Sequence, residues 1–88
     1  MNTYFENSYE RDLKKITDKN LKVEIKQAIL SVRAAQTVKG IPGLKKMKGY
    51  KIHYRIRVGR YRIGVIIEGD MVTFLKCLPR KDFYKYFP

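Results

Sequence analysis

The chain has 88 residues, with 20 Lys and Arg against 8 Asp and Glu, a formal net charge of +12. Its apolar content of 44% suits one packed domain spanning residues 1–88, and a lone cysteine excludes an internal disulfide. With a single histidine there is no plausible zinc cluster either, and no run approaches the ~18–20 apolar residues that cross a membrane. Residues 1–20 mix acids and bases without the apolar stretch of a signal peptide, so a cytoplasmic location is expected and no cofactor is implied.

Residues 2–6, "NTYFE", read as a short first strand. Asn7 or Ser8 then supplies a helix cap, with Leu13 and Ile16 on the apolar side of the helix. Thr17 and Asp18 offer a second cap. From there Leu21, Ile25, Ala28, Ile29 and Val32 follow helical spacing and predict a helix over 18–34. The stretch "TVKGIPGLKKMKG", residues 37–49, has the glycines and proline of a loop, with room for a short strand over 44–47. Three strands follow, over 50–58, 61–67 and 71–78, joined at Gly59-Arg60 and Gly69-Asp70. Both junctions suit hairpin turns with glycine first. Pro79 ends the last strand, and the tail is expected to return over the core as a helical turn. The predicted fold is α+β: two N-terminal helices packed on a mostly antiparallel sheet, in β-α-α-β-β-β order.

The charge is unevenly placed. Residues 1–38 hold seven bases and five acids, whereas residues 39–88 hold thirteen bases and three acids. Such an excess in a compact half-domain points to a polyanion, nucleic acid before membrane. With Gly59-Arg60 as the turn, Arg57 faces Arg62, Arg55 faces Gly64, His53 faces Ile66 and Lys51 faces Glu68. Like charges opposite one another destabilise a sheet, so Arg57 against Arg62 reads as an anion site rather than a folding device. Gly64 beside Arg55 reads as bare backbone left for close approach by something else. The same register carried into the last strand sets Lys76 on the core face opposite Ile63, which requires either a snorkelling side chain or a bulge. Cys77, at the end of an apolar run, reads as a small buried hydrophobe.

The run "YRIRVGRYRIGVIIEGDMVTFLKCLPRKDFY" resembles the RelE/ParE superfamily of type II toxins. The shared elements are Tyr54 to Arg62, then two apolar strands, then an Arg-(Lys/Arg)-Asp-x-Tyr close, here Arg80, Lys81, Asp82, Phe83 and Tyr84. The resemblance implies the fold predicted above, a cognate antitoxin as partner, and one of two activities. RelE-like members cut mRNA on the ribosome without a metal, by attack of a ribose 2′-OH on the adjacent phosphate. ParE-like members poison DNA gyrase. Carried over to this chain, the nuclease residues are Arg55, Arg57, Arg62, Arg80 and Tyr84. Lys45, Lys46, Lys48, Lys51, Arg60 and Lys81 are the accompanying candidates for RNA binding. The chain departs from many nuclease relatives at Pro79, where they carry a histidine, and both strand bases are arginines, which do not give up a proton. Lys51, His53 and Tyr84 are the candidates left for a general base. The expected function is therefore a toxin that cleaves translated mRNA, with a gyrase poison or a non-toxin RNA-binding protein as alternatives.

Overall fold

The structure, a computed structural model, describes residues 1–88. Its elements run β1 (Asn2–Phe5), α1 (Asn7–Lys14), α2 (Lys19–Ala34), β2 (Leu44–Lys46), β3 (His53–Val58), β4 (Tyr61–Glu68), β5 (Met71–Pro79) and α3 (Arg80–Tyr86). A single 3₁₀ turn, Val38–Gly40, lies before β2. The five strands form one sheet in the order β1-β5-β4-β3-β2. Only the β1–β5 pairing is parallel. The two expected helices and the mostly antiparallel sheet are both present, and β2 and α3 extend the predicted order at one edge and at the C-terminus.

One face of the sheet carries Ile56, Val58, Ile63, Val65, Ile67, Val72, Phe74 and Cys77, all buried in a core shared with α1 and α2. Tyr9 of α1 and Phe5 of β1 complete an aromatic group around Phe74, with ring centroids 5.3 and 5.0 Å from it. Asp18 caps α2 as expected, its carboxylate accepting from the N–H groups of Asn20 at 2.9 Å and Leu21 at 3.2 Å. The cap of α1 differs from expectation. Glu6 is the N-cap and makes no side-chain cap bond. The Ser8 hydroxyl is spent elsewhere, donating to the Leu75 carbonyl.

That carbonyl belongs to the one irregularity of the sheet. Between β4 and β5 the register shifts at Gly64/Val65, so that Gly64 pairs with Lys76 and Val65 with Phe74. Leu75 is the extra residue. The bulge puts Cys77 opposite Ile63 in the core and sends Lys76 to the other face, which answers the misplaced lysine of the simple register. The β3–β4 hairpin matches its expected pairing from Val58↔Tyr61 to His53↔Ile66. Its first strand is shorter than predicted, because the chain bends at Lys51 and Ile52: the Ile52 carbonyl still accepts the Ile67 N–H at 2.9 Å, but Lys51 lies outside the ladder with Glu68.

The second face of the sheet is not open. Seven residues are too few to hold a helix by themselves, so α3 depends on packing. Phe83 and Phe87 supply it. Both are buried, and neither belongs to the main core. At roughly 1.5–3 kcal/mol for each buried side chain of this kind, they form a second, smaller apolar cluster that keeps α3 on the sheet. The close approach that Gly64 allows is made by the chain's own tail and not by a separate molecule. A methyl group at Gly64 would lie 2.6 Å from Cδ1 of the Phe87 ring and 2.7 Å from Cγ and Cε1.

Candidate RNA-binding and catalytic site

The start of α3 is fixed to the β3–β4 turn by one backbone bond, Arg80 N–H to the Arg60 carbonyl at 2.8 Å. Gly59 makes that turn possible, with φ at +56°, and Arg60 follows it with an ordinary negative φ, as a turn with glycine first requires. The result is a basic cleft of about 740 Å³ lined by Arg60, Tyr61, Pro79, Arg80, Lys81 and Tyr84. A second cleft of about 300 Å³ lies beside it, lined by Lys45, Lys46, Met47, Lys48, Arg55 and Tyr84. Tyr84 is common to both and is 54% exposed. Around this one phenol the two clefts gather seven cationic side chains and no carboxylate.

The structure therefore brings together eight of the twelve residues singled out from sequence: Arg55, Arg80, Tyr84, Lys45, Lys46, Lys48, Arg60 and Lys81. Arg55 is oriented by the loop before β2, its Nη1 donating to the Gly43 carbonyl at 2.7 Å. Arg62 lies under the site rather than in it. It is only 8% exposed, and its Nη1 donates to the carbonyls of Gly59 at 3.0 Å and Tyr61 at 2.9 Å, bracing the turn that presents Arg60. Its Nε is buried without a partner. Arg57 is exposed opposite Arg62 and lines neither cleft.

His53 stands apart from both clefts. Its ring is packed between Tyr50, at a centroid distance of 5.0 Å, and Phe87, at 5.8 Å, and its Nδ1 is buried without a hydrogen bond. Lys51 also lines neither cleft. Tyr84 is thus the one general-base candidate that the clefts contain. Sequence reasoning missed Tyr61, Met47 and Pro79 as lining residues. The ladder pairing of Tyr61 with Pro79 explains two of them, since it sets the residue after the turn beside the residue that begins α3.

Of the buried polar groups elsewhere, Asp12 has a structural occupation and the Tyr9 hydroxyl has no hydrogen-bond partner. Asp12 is buried on α1 and its Oδ2 accepts from the Cys77 N–H at 2.8 Å. Burial, and secondarily the Asp12 carboxylate, pushes the Cys77 thiol up to about 12. Burial in the first place, with Cys77 second, raises Tyr9 above the ordinary phenol range. Neither group is suited to nucleophilic chemistry. No cluster of three or more His, Cys, Asp or Glu side chains is placed to hold a metal ion.

A small α+β fold with a sheet covered by helices on both faces here carries a basic, aromatic-centred surface, the charge pattern of a domain that meets a polyanion. Comparison with known proteins makes the assignment specific. No family model matches the chain. It is 37% identical to the toxin RelE3 of Methanocaldococcus jannaschii over 89 aligned residues, covering the whole of both chains. The RelB-RelE antitoxin-toxin complex from Methanococcus jannaschii contains a chain that is 36% identical, with a TM-score of 0.81 over 97% of this chain and 99% of that one. The Staphylococcus aureus YoeB dimer shares the fold at 20% identity, with a TM-score of 0.72 over 89% of this chain and 94% of the other. The chain belongs to the RelE family of toxins, the toxin halves of type II toxin–antitoxin systems.

Proposed function

We propose that this toxin is a ribosome-dependent endoribonuclease that cuts messenger RNA in the cytoplasm and is neutralised by a cognate antitoxin. The observation that carries the reading is Tyr84 standing between two clefts with seven cations and no carboxylate. The 2′-oxygen of a ribose attacks the adjacent phosphorus as its proton passes to Tyr84. The bond to the 5′-oxygen of the next nucleotide breaks as that oxygen takes up the phenol's own proton, so Tyr84 ends as it began and the products are a 2′,3′-cyclic phosphate and a 5′-hydroxyl. Arg80, Lys81 and Arg60 stabilise the charge that develops on the phosphorane, which is ordinarily the largest catalytic contribution. Lys45, Lys46, Lys48 and Arg55 hold the flanking backbone, while the exposed tyrosine ring offers a stacking surface to an unpaired base. Arg62 supports the Arg60 turn, and Arg57 adds to the field outside the clefts.

An antitoxin is supported by the relative solved as a RelB-RelE complex. An acidic or amphipathic segment suits a chain with this net charge. The test is cell-free translation of a defined message with added protein, with breaks mapped by primer extension and naked RNA treated in parallel. Breaks confined to translated message establish the reading. Intact message with continuing translation overturns it in favour of a toxin that acts on DNA gyrase.

A further inference from the structure

The helix that carries Arg80, Lys81 and Tyr84 is held at two points. Its first residue is tied through the Arg80 N–H to the Arg60 carbonyl. Its far end is held by Phe87, 4% exposed, whose ring occupies the space a side chain at Gly64 would need. Between them, Phe83 and Phe87 are four residues apart, on one side of the helical path, and the Phe87 N–H donates to the Phe83 carbonyl at 2.9 Å. Tyr84 follows Phe83 by one residue and so projects about a quarter-turn away from the buried side. Its ring meets that of Phe83 edge-on, with centroids 5.0 Å apart and planes at 86°.

We infer that Phe87, seated on Gly64, is a positioning residue: it fixes α3 so that Tyr84 stands between the two basic clefts. The inference rests on the nuclease reading for its consequence and on geometry for the contact. β4 is paired on both sides, by β3 and β5, so it cannot recoil from an added side chain. The tail is the part that yields. Alanine is ordinarily favoured over glycine inside a strand, so a loss on introducing it traces to the tail and not to the sheet.

The test is Gly64→Ala in the full chain, read in two ways. Amide exchange at 81–86 is expected to quicken about tenfold, a factor worth ~1.4 kcal/mol, with β4 and β5 amides unchanged. The single-turnover cleavage rate on programmed ribosomes is expected to fall roughly 10- to 100-fold, with the ribosome concentration at half-saturation within about twofold of the unaltered chain. Gly64→Ala combined with Phe87→Leu removes the clash and is expected to recover most of that rate, which damage to the sheet would not allow. Phe87→Ala, which leaves the sheet untouched, is expected to reproduce the loss. Unchanged exchange and unchanged rate in Gly64→Ala would overturn the inference. Failure of the unaltered chain to cut translated message would remove the nuclease reading, and exchange at 81–86 would then decide the seating of Tyr84 alone.

Discussion

The Ser8 hydroxyl donates to the Leu75 carbonyl at 2.6 Å, joining the first turn of α1 to the residue where the β4–β5 ladder slips. Four residues on, Asp12 accepts the Cys77 N–H, so two side chains on one side of α1 serve the backbone on either side of Lys76. The bulge that turns Lys76 out of the core is therefore paired from the helix layer. Removing the hydroxyl in Ser8→Ala leaves a part-buried carbonyl without its partner, and such a loss costs about 1–3 kcal/mol. Urea denaturation should show a lower midpoint with an unchanged slope.

Cys77 provides a second test of the same region. Its burial pushes the thiol up to about 12 from an ordinary 9.0. The folded chain should therefore resist alkylation at pH 8, with a labelling rate that tracks unfolding. The unfolded thiol ionises first as pH rises, so this group contributes no loss of stability below about 9 and a progressive loss from there towards about 12. A Cys77→Ala variant should show a shallower alkaline decline in denaturation midpoints over that window.

Much of this was legible in the sequence, and the failures have physical causes. Asp18 and the spacing from Leu21 to Val32 specify α2 through local capping and periodicity, and the Gly59-Arg60 turn fixes the hairpin register outright. The conflict at Lys76 correctly signalled a departure from simple pairing, but choosing the bulge required the partners Ser8 and Asp12, which are distant in sequence. Gly64 was legible as a close approach; its partner was not, because a glycine records the space and not the occupant. Phe87 is one of several aromatics in a short tail, and nothing local marks it as the one that lands there. Arg62 and His53 were placed on the right face by alternation, yet the turn buries Arg62, and Tyr50 and Phe87 flank the His53 ring, a tertiary effect that no period reveals.

Tyr84 is the residue on which the proposed chemistry turns, and its exposure separates function from stability. Tyr84→Phe keeps the ring and removes the proton acceptor. Cleavage on programmed ribosomes should fall roughly 10²- to 10⁴-fold, the usual range for a lost acid–base group. Tyr84→Ala should lose ribosome-bound RNA affinity as well, since stacking on an aromatic ring is worth about 1–3 kcal/mol per base. Thermal midpoints of the Phe variant should match the unaltered chain. Equal activity in Tyr84→Phe would leave the phenol only a stacking role.

The lysines of the second cleft make a prediction of a different kind, because their work is electrostatic and carries no base specificity. Lys45 and Lys46 lie on β2, the sheet's edge, and Lys48 follows in the loop, so each can be neutralised without disturbing the core. For a single-stranded RNA, each phosphate contact contributes about 0.7 to the slope of log affinity against log salt. Lys45→Gln, Lys46→Gln and Lys48→Gln should each weaken binding of a short unstructured RNA to a similar extent across sequences, and each should reduce that slope by about this amount. Arg57→Gln, outside both clefts, should lower affinity by less and leave the slope nearly intact, because a charge that makes no phosphate contact acts only through a field that salt screens. Equal slopes in all four variants would show that the bound strand does not follow the second cleft, and would confine the contact surface to the one formed by Arg60, Arg80 and Lys81.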